Sequence, residues 1–495
     1  MTKYDHIVVG SGISGLTATL LLAMTGQEVL LLEKAPHIGG SLARFRRKGV
    51  PFDTGFHFTG GFHTDGILYD MLSALGIRDF VRPLFLPEDH AHRFIFESKG
   101  VAFDLPSGTA RIRQKLRESF PCEEQAIERY FDRVEDVCNR TSSMRLRSIS
   151  VSPLPLDEDY VSLQSVLDDL TDDRVLKAIF GGFSMCYGVK PEEISFANHS
   201  RMCQGMYESV ARVEDGGEAF IRAFQERFNK LAVEIRTGTW IDRCEDIEEN
   251  NVRRFVLNDG SEVTAKTCVF TIHPKEVLAA LPGDHLSKAF KERVSSFESS
   301  SGFFSVFGTL DKGNDDDLDS TIVSLFPSVD INALLDPDLE GDSALVLIKG
   351  IEDVEGKKTE VVTAFEPSFP DHVHEWVDSR RGHRPQGYKD YKAAKTARIL
   401  ERMGEYSDEY KERFTMLDSA SILTFRDYLF SPDGSAYGVK QKMGQFNLLG
   451  KLPLRNLFAS GQSSVLPGLV GAMASSFIVC RALLGKDEFG RLIGV

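Results

Sequence analysis

His57 lies between two phenylalanines in the glycine-rich stretch FDTGFHFTGG, residues 52–61. An imidazole can be poised near neutral pH, so His57 is a candidate proton donor in catalysis. The same ring could instead contact a cofactor, line a pocket or be a hydrogen-bonded core side chain, and the residues leave these alternatives open. Asp53 is expected to fix the turn by accepting hydrogen bonds from nearby backbone N–H groups.

Tyr437, in the stretch GSAYG, is a second candidate proton donor, unless its phenol only lines a pocket. Two further patterns, DHAH at 89–92 and DHVH at 371–374, would each place two imidazoles on one face if they lay on strands, as a metal site could use. No third ligand is evident near either pattern in the sequence. We therefore predict no metal site.

The first forty residues predict a unit that could hold a cofactor near these side chains. The short apolar run His6–Val9 is typical of a buried strand, and apolar residues then recur at helical spacing until Gly26. The run at 29–32 predicts a second buried strand, which ends on Glu33. Strand, glycine turn, helix and strand follow in this order, and the acid stands 18 residues after Gly15, which matches the dinucleotide-binding fingerprint.

Each glycine of the pattern Gly10-x-Gly12-x-x-Gly15 has a physical role. Gly10 allows a tight turn, Gly12 lets the backbone approach a pyrophosphate, and Gly15 lets the helix pack against the strand. The pyrophosphate is expected at the helix N-terminus, and Glu33 is expected to bind a ribose hydroxyl and to repel a 2′-phosphate. The residues of this segment predicted to bind the cofactor are Gly10, Ser11, Gly12, Ser14, Gly15, Glu33 and Lys34.

The composition excludes several classes of protein. The 495 residues carry a net charge of −15, which disfavours nucleic acid as a partner, and no stretch of 18 apolar residues predicts a membrane span. The N-terminus lacks a secretory pattern and the seven cysteines are scattered, so we expect a cytoplasmic protein without a disulfide framework. The acidic run Asp315 to Asp317 is interpreted as a solvated loop. The 35 phenylalanines indicate either an aromatic core or an aromatic-lined cavity for an apolar ligand.

Two later stretches predict further parts of the dinucleotide unit. Two glycines at 216–217 precede a helix with an aromatic face, and NDGS at 258–261 predicts a hairpin turn. The apolar run at 457–459 leads to Gly461 and then to a helix that begins near Gly468 or Gly471, which is a second glycine-bearing turn from strand to helix.

Four stretches together resemble a known family: FDTGFHFTGG, RESFPCEEQAIERYF, SPDGSAYG and ASGQSSVLPGLVGA. They are similar to the retinol saturase and carotenoid isomerase branch of the phytoene desaturase-like flavoproteins, and the likeness runs nearly end to end. One departure is Ser41, which stands where an arginine often follows the Gly-Gly pair, here residues 39–40, in the wider superfamily. A second is VARVEDGG before the helix at 216, which lacks the expected aromatic and proline residues.

The resemblance implies FAD rather than NAD as the cofactor, and it implies a set of flavin contacts. In the family, the Gly-Gly pair after the second strand and the C-terminal motif approach the cofactor, and a residue at the position of Ile241 contacts the adenine, unless here it is only a core residue. The implied contacts are Gly39, Gly40, Ser41, Gly55, His57, Ile241, Gly461, Gln462, Leu469 and Val470.

The resemblance also implies the fold class. We expect an α/β protein with a discontinuous Rossmann-type FAD-binding domain, of the amine oxidase and carotenoid desaturase kind, and an inserted α+β substrate domain. The FAD-binding domain is assigned to residues 1–80, 211–285 and 431–495. The substrate domain is assigned to residues 81–210 and 286–430, where several strands and helices are predicted.

The implied chemistry is hydride exchange between the flavin and a long apolar polyene or isoprenoid-like lipid, as saturation, desaturation or isomerisation. Two alternatives stay open: an oxidase of a smaller amine or tetrapyrrole, and a flavin-binding protein without turnover. The electron donor or acceptor is not predicted. The charged helix with Tyr388, Tyr391, Lys392 and Lys395 favours a solvated face over a membrane-binding one. A peripheral membrane contact nevertheless stays open, because a lipid substrate has to be collected from somewhere.

Overall fold

The fold was analysed in a computed structural model that describes residues 2–150, 154–311, 319–445 and 447–494. The acidic run Asp315 to Asp317 lies outside the described residues. The strands are β1 (Thr2–Val9), β2 (Val29–Glu33), β3 (Arg44–Arg47), β4 (Val50–Asp53), β5 (Pro83–Phe85), β6 (His92–Phe96), β7 (Val101–Leu105), β8 (Ala211–Val213), β9 (Val233–Thr237), β10 (Ile241–Glu248), β11 (Asn251–Leu257), β12 (Glu262–Phe270), β13 (Gly302–Leu310), β14 (Thr321–Phe326), β15 (Leu345–Val354), β16 (Lys357–Ser368), β17 (Phe414–Ala420), β18 (Gly450–Lys451) and β19 (Leu457–Ala459).

The α-helices lie between and after these strands. They are α1 (Ile13–Ala23), α2 (Ile67–Ala74), α3 (Thr109–Ser119), α4 (Glu124–Arg140), α5 (Leu163–Leu170), α6 (Arg174–Gly181), α7 (Phe196–Glu208), α8 (Gly216–Phe228), α9 (Pro274–Ala280), α10 (Lys288–Ser295), α11 (Ile331–Leu334), α12 (Gln386–Tyr406), α13 (Asp408–Arg413), α14 (Ile422–Leu429), α15 (Gly468–Leu484) and α16 (Lys486–Leu492). Among the described residues, no helix is both long and apolar enough to cross a membrane.

The first sheet is the predicted dinucleotide-binding sheet. Its order is β10-β11-β12-β1-β2-β9, and β19 adds to β12 in parallel. β1 pairs in parallel with both β2 and β12, so the carboxyl ends of these strands meet at one edge. The NDGS turn joins β11 to β12 as an antiparallel pair, as predicted. The fold class is confirmed, since helices cover a mainly parallel sheet assembled from distant parts of the chain.

Burial explains why these segments form this sheet. Every residue of β2 is buried, which is what a near-continuous apolar run predicts for a strand covered on both faces. On one face α1 packs against α15 and α8, where Phe220, Phe224 and Phe228 are buried as the aromatic face predicted. On the other face the cluster includes Ile241, Phe255 and side chains from the loop before β19.

The second sheet has the order β17-β13-β16-β15-β14-β6-β7. Most of its neighbours are antiparallel, and only β14 and β6 are parallel. Its residues alternate between two faces. On β13, Phe304 and Val306 pack toward α12, whereas Phe303, Ser305 and Phe307 face the opposite side, where a large cavity lies.

One expectation from the sequence is wrong. The face of α12 that bears Tyr388 and Tyr391 is not solvated: Tyr388 is 7% exposed and bonds the Ser421 hydroxyl at 2.7 Å, and the Tyr391 ring packs on Phe304. Lys395 pairs with the buried Glu366 at 2.7 Å, so this face is an internal packing surface. One stripe of side chains on this 21-residue helix is buried, and the lysines along its sequence obscure that stripe in the charge pattern.

The paired histidines do not lie on strands as a shared metal face would require. His92 begins β6 whereas His90 lies in the turn before it, and His372 and His374 lie in a 3₁₀ turn over Pro370–Trp376. Among the described residues, no group of three or more His, Cys, Asp or Glu side chains is arranged to hold a metal ion.

Candidate active site

A large cavity of about 1150 Å³ lies between the carboxyl edge of the first sheet and one face of the second. Of the predicted site residues, all but Gly15, Gly39 and Gly461 line it. The structure therefore brings together residues from near both ends of the chain and from its middle. Both candidate proton donors, His57 and Tyr437, are among the lining residues.

The glycine turn after β1 leaves the space that a pyrophosphate needs. A Cβ at Gly12 would meet no protein atom within 4 Å, and Gly12 caps α1, whose first turn carries no acidic residue. Gly10 has a φ of +95°, which only glycine adopts readily. The free N–H groups at the start of α1 therefore face a space that a diphosphate can fill.

Gly15, Gly39 and Gly461 act behind the cavity wall. A Cβ at Gly15 would lie 1.8 Å from the Gly10 carbonyl oxygen, so this glycine allows the helix to approach the turn, as predicted. The Gly39 N–H donates to the backbone oxygen of Ser11, and the Gly461 N–H donates to the Ser475 hydroxyl at 2.8 Å. Both amides are thus already satisfied inside the protein.

Glu33 is held in position before any ligand arrives. Its carboxylate accepts hydrogen bonds from the Ser11 N–H at 2.8 Å, the Ser11 hydroxyl at 2.5 Å and the Ala35 N–H at 2.7 Å. A carboxylate offers about four lone-pair sites, so capacity for a ribose hydroxyl remains. Lys34 lies beside it over the rings of Trp240 and Phe430, at 5.5 Å and 5.1 Å from their centroids.

Ser14 lines the cavity, but its hydroxyl is bonded inside the protein. Its hydroxyl bonds the hydroxyls of Ser476 at 2.6 Å and Ser460 at 2.9 Å, which ties α1 to α15 and to the end of β19. Only its backbone N–H is left for a ligand.

The second glycine turn brings the start of α15, with Leu469 and Val470, to the same cavity. The first turn of α15 also lacks acidic residues.

The residues present fit FAD. Two helix N-termini without acids, an open position at Gly12 and a pre-positioned Glu33 would hold the diphosphate and ribose, and Ile241 begins β10 at the same end of the cavity. Bound FAD supplies hydride transfer, and the chain supplies the surfaces that align a substrate with it.

The floor of the cavity on the second sheet is a straight row of register partners. Adjacent members of the row pair directly across neighbouring strands. The row runs Ala420, Ser305, Phe365, Val346 and Ser324, and every member lines the cavity. It crosses four inter-strand steps of about 4.8 Å, or about 19 Å in all.

His92 extends this row onto β6, because its Nε2 lies 2.8 Å from the Ser324 hydroxyl. We call Ala420, Ser305, Phe365, Val346, Ser324 and His92 the cross-strand row. Three of its side chains are small (Ala420, Ser305 and Ser324) and three are larger, and together they form the floor of an extended channel along the cavity. No sequence pattern predicts this row, because each strand contributes one residue.

The stretch FDTGFHFTGG forms the opposite wall of the channel. The His57 ring stacks on Phe365 with 5.6 Å between centroids and 25° between planes, above the middle of the row. Phe58 meets His92 edge-on at 6.5 Å, near the end of the row. His57 and Phe58 therefore line the channel, whereas the ring of Phe56 packs edge-on against Phe220 in the core.

A buried charge quartet of Arg44, Asp53, Arg212 and Glu352 lies behind His57. Arg44 pairs with Asp53 at 2.9 Å and with Glu352 at 2.8 Å, and Arg212 pairs with Glu352 at 3.1 Å. All four side chains are at most 10% exposed. Asp53 also bonds the backbone of Gly217, so it joins the hairpin β3–β4 to α8 instead of fixing only its own turn.

This environment keeps both candidate proton donors neutral. Burial, with the nearby charges of Arg212 and Arg44, lowers the pKa of His57 to about 4, so the ring is an imidazole at neutral pH. Burial raises the pKa of the Tyr437 phenol well above its ordinary value. Tyr437 meets Phe303 edge-on at 5.8 Å, and its backbone N–H donates to the Ser300 hydroxyl at 3.1 Å.

The comparisons with known proteins agree with this geometry. Residues 13–306 match the family of flavin containing amine oxidoreductases, which is more than half of the chain. The chain belongs to this family. FAD is therefore its cofactor, and its activity class is that of an FAD-dependent oxidoreductase.

The relatives place the chain within this family. An all-trans-retinol 13,14-reductase of Danio rerio is 24% identical over 98% of this chain and 86% of the relative. A prolycopene isomerase of Daucus carota is 31% identical over 39% of this chain and 31% of the relative. These two proteins represent the retinol saturase and carotenoid isomerase branch, so the resemblance seen in the motifs is confirmed.

Among solved structures, a cyclohexylamine oxidase of Brevibacterium oxydans superimposes with a TM-score of 0.60 at 14% identity, and the alignment covers 99% of both chains. At this identity the likeness shows the fold alone. It confirms the expectation of an amine oxidase-like FAD fold.

Proposed function

We propose that this chain catalyses an FAD-dependent reaction at C=C or C–C bonds of a long, apolar polyene or isoprenoid lipid. The observation that carries the proposal is the cross-strand row, the floor of an extended channel in which the five register partners from Ala420 to Ser324 alone span about 19 Å and His57 forms part of the wall. A chain-like substrate fills such a channel along its length, whereas a small amine would leave most of it to water. The relatives that act on retinol and prolycopene, by their names, support the same substrate class.

In this proposal the protein binds the substrate, orients it toward the flavin and keeps bulk water out of the cavity. Aromatic rings on both walls, with Phe365 and Phe303 on the sheet and Phe58 opposite, would hold a conjugated chain in one plane. The proposed FAD contacts are the predicted residues that line the cavity, and Gly15, Gly39 and Gly461 support them from behind. The domain division predicted from the sequence is kept as part of the proposal, because the two sheets draw their strands from the corresponding segments.

His57 is proposed to shape the channel wall rather than to act as an imidazolium acid. Its neutral ring stacks on Phe365 and has an N–H that can donate a hydrogen bond. A proton required by saturation would then come from another group or from water at the channel. The seven cysteines, all among the described residues and all free, support the proposed cytoplasmic location. The proposal also includes a peripheral membrane contact and an electron donor or acceptor whose identity the sequence does not predict.

The decisive experiment reduces the bound flavin anaerobically with dithionite and mixes it rapidly with all-trans-retinol or with a carotenoid such as prolycopene. Putrescine serves as the test amine and is offered only to the oxidised enzyme. We expect a polyene to reoxidise the flavin faster than buffer does, or to be isomerised, with the product identified by mass spectrometry and chromatography. The oxidised enzyme is tested in parallel with the amine for flavin bleaching. Bleaching by the amine without any reaction of a polyene would overturn the proposal, and inertness toward both would favour a flavin-binding protein without turnover.

A further inference from the structure

Charged side chains are distributed unevenly along the cavity. At the β17 end of the cross-strand row, the lining charges are Arg47, Lys392 and Asp418, which leave an excess positive charge. We call these three residues the cationic end. Asp418 lies two residues before Ala420 on β17, so both share the face that lines the cavity.

The opposite end, where α7 packs beside β14, has the reverse balance. Met206 of α7 packs against the apolar cluster that contains Ile322 of β14, which places this helix near the far end of the row. The charged lining residues of this end are Asp65, Glu135, Glu208, Arg145 and Arg201, so acids outnumber cations. Arg201 is moreover held by two hydrogen bonds to Asp159, at 2.5 Å and 3.0 Å.

The remaining charged residues of the lining belong elsewhere. Glu33, Lys34, Asp242 and Glu276 lie at the dinucleotide end, and Arg44 is a member of the buried charge quartet. Within the part of the chain that the structure describes, the channel thus has one end with excess positive charge.

Lys392 is the group at the cationic end whose bonding is least complete. Its Nζ lies 3.9 Å from Asp418 Oδ1, which is too long for a hydrogen bond, and among the described contacts its ammonium makes no other. Arg47 instead bonds the other oxygen of Asp418 directly. Burial lowers the pKa of Lys392, opposed by Asp418 and assisted by Arg47, so the ammonium is poorly solvated.

A second anion would satisfy this end. An ammonium has three donors and a guanidinium has five, and one carboxylate cannot use them all. The aromatic side chains Phe45 and Phe307 border the cationic end, so a ligand there must combine an anionic group with an apolar chain. Solvent reaches Arg47, which is 43% exposed, so a charged head can remain partly hydrated.

We propose that Lys392 and Arg47 bind the carboxylate of an unsaturated, apolar acid whose chain lies along the cross-strand row. This inference rests on the proposed function, which supplies the apolar chain of the substrate. It adds a polar end group and the orientation of the bound substrate along the row. The end group would be fixed by charge-assisted hydrogen bonds, so that one section of the chain, set by its distance from the carboxylate, lies beside His57.

The test measures binding and turnover separately on the FAD-loaded protein. The probes are all-trans-retinoic acid, its methyl ester and all-trans-retinol, which share a chain and differ in their end group. Binding is followed by the change in the visible spectrum of the flavin and by quenching of protein fluorescence. We expect the acid to bind about tenfold more tightly than the ester.

Lys392→Met and Arg47→Met are each expected to remove most of that preference and to leave ester binding unchanged. Lys392→Arg should restore it, because it keeps the charge. Lys389→Met, on the exposed side of the same helix, is the matched control and should bind like wild type. Flavin content and the thermal midpoint are measured for each variant so that misfolding is recognised.

Equal affinity of wild type for acid and ester, or an acid preference that survives in the double variant Lys392→Met/Arg47→Met, would overturn the inference. If the ester reoxidises reduced flavin and the acid has no advantage in binding, the inference fails and the proposed function stands. If the acid binds preferentially and no probe reacts, the binding site stands and the proposed function fails.

Discussion

The two sheets that enclose the cavity recognise their ligands in opposite ways. The first sheet presents backbone, at glycine turns where β1 and β19 end, and its side chains mostly serve the fold behind that surface. The second sheet presents side chains, one from each of six strands in the cross-strand row. A backbone site requires glycine at fixed spacing, whereas a side-chain row requires only that each member face the channel.

This difference decides what a substitution does at each sheet. At the first sheet any side chain at a cofactor-facing glycine occupies space that belongs to the diphosphate. At the second sheet the size of each side chain sets the depth of the channel, so substitutions change substrate selection and leave the cofactor in place. Variants that separate these two effects test the comparison.

The largest effect is expected for Gly12→Val, which should abolish FAD binding in a folded protein. The new side chain meets no protein atom within 4 Å of its Cβ, so it fills the space required by the pyrophosphate instead of disturbing the core. The measurement is flavin stoichiometry from the visible spectrum, with folding checked by circular dichroism. Gly283→Val, also at an uncrowded glycine but outside the cavity, is the control, and normal flavin content in the Gly12 variant would refute the site.

How much the sequence predicts follows from the same contrast. The glycine spacing after β1, the acid at Glu33 and the second turn near Gly468 stand in contiguous motifs, so the dinucleotide end was predicted residue by residue. The cross-strand row was not predicted, because its members are spread from residue 92 to residue 420 and each is an ordinary strand residue. Only the excess of phenylalanine indicated an aromatic cavity, and it could not say which rings line it.

The next largest effect is expected for Ser305→Phe, which should block the channel. Ser305 lies in the row between Ala420 and Phe365, so a ring there occupies the path of a long chain. We expect turnover of a polyene to fall about a hundredfold while FAD content stays normal. Met416→Phe, at an exposed position of the neighbouring strand β17, adds a ring outside the channel and should be nearly silent. Unchanged turnover with Ser305→Phe would place the substrate elsewhere.

The buried charge quartet joins the two regions, and Arg212→Met should destabilise the protein by about 3 kcal/mol. Removing this guanidinium leaves Glu352 and Asp53 with one cation in a buried site. Urea unfolding measures the change. Arg82→Met removes an exposed pair with Glu214 and should cost about 0.5 kcal/mol or less. Equal stabilities of the two variants would show that the buried ion pairs of the quartet contribute no more to the free energy of unfolding than the exposed pair does.

The quartet also shows why sequence reasoning missed part of the site. Arg44, Asp53, Arg212 and Glu352 come from segments that share no motif, and a charged residue in a sequence is ordinarily assigned to the surface. A purely local interpretation confined Asp53 to its own turn. The partners became visible only when β15 was placed beside the hairpin β3–β4.

A smaller, graded effect is expected with pH. Burial lowers the pKa of His92 and of His199 to about 3, so both are neutral in the folded protein and gain a proton on unfolding below about pH 6.5. Their neutral state therefore stabilises the protein fully above pH 6.5, and this is lost as pH falls toward 3, by about 1.4 kcal/mol per pH unit for each group.

Urea unfolding between pH 7.5 and 4.5 measures this slope. His199, which bonds the Tyr130 and Tyr187 hydroxyls at 2.7 Å, belongs to the fold, whereas His92 belongs to the channel. His92→Gln should reduce the slope by one group and also alter polyene turnover, and His199→Gln should reduce only the slope. The exposed His90→Gln is the control. A slope that neither buried variant changes would contradict the assignment.

The smallest effect is expected for Tyr437→Phe, because the aromatic ring of Tyr437, and not its hydroxyl group, contributes to the channel wall. The raised pKa makes the phenol a poor acid, and the ring is fixed by its contact with Phe303 and by its backbone bond to Ser300, both of which the variant keeps. We expect less than about a threefold change in the rate of flavin reoxidation by a polyene, whereas loss of a general acid costs about a hundredfold or more. Tyr437→Leu, which removes the ring, should lose more than Tyr437→Phe. A hundredfold loss in Tyr437→Phe with full flavin content would instead make this tyrosine the proton donor and give this wall of the channel a chemical role beyond alignment.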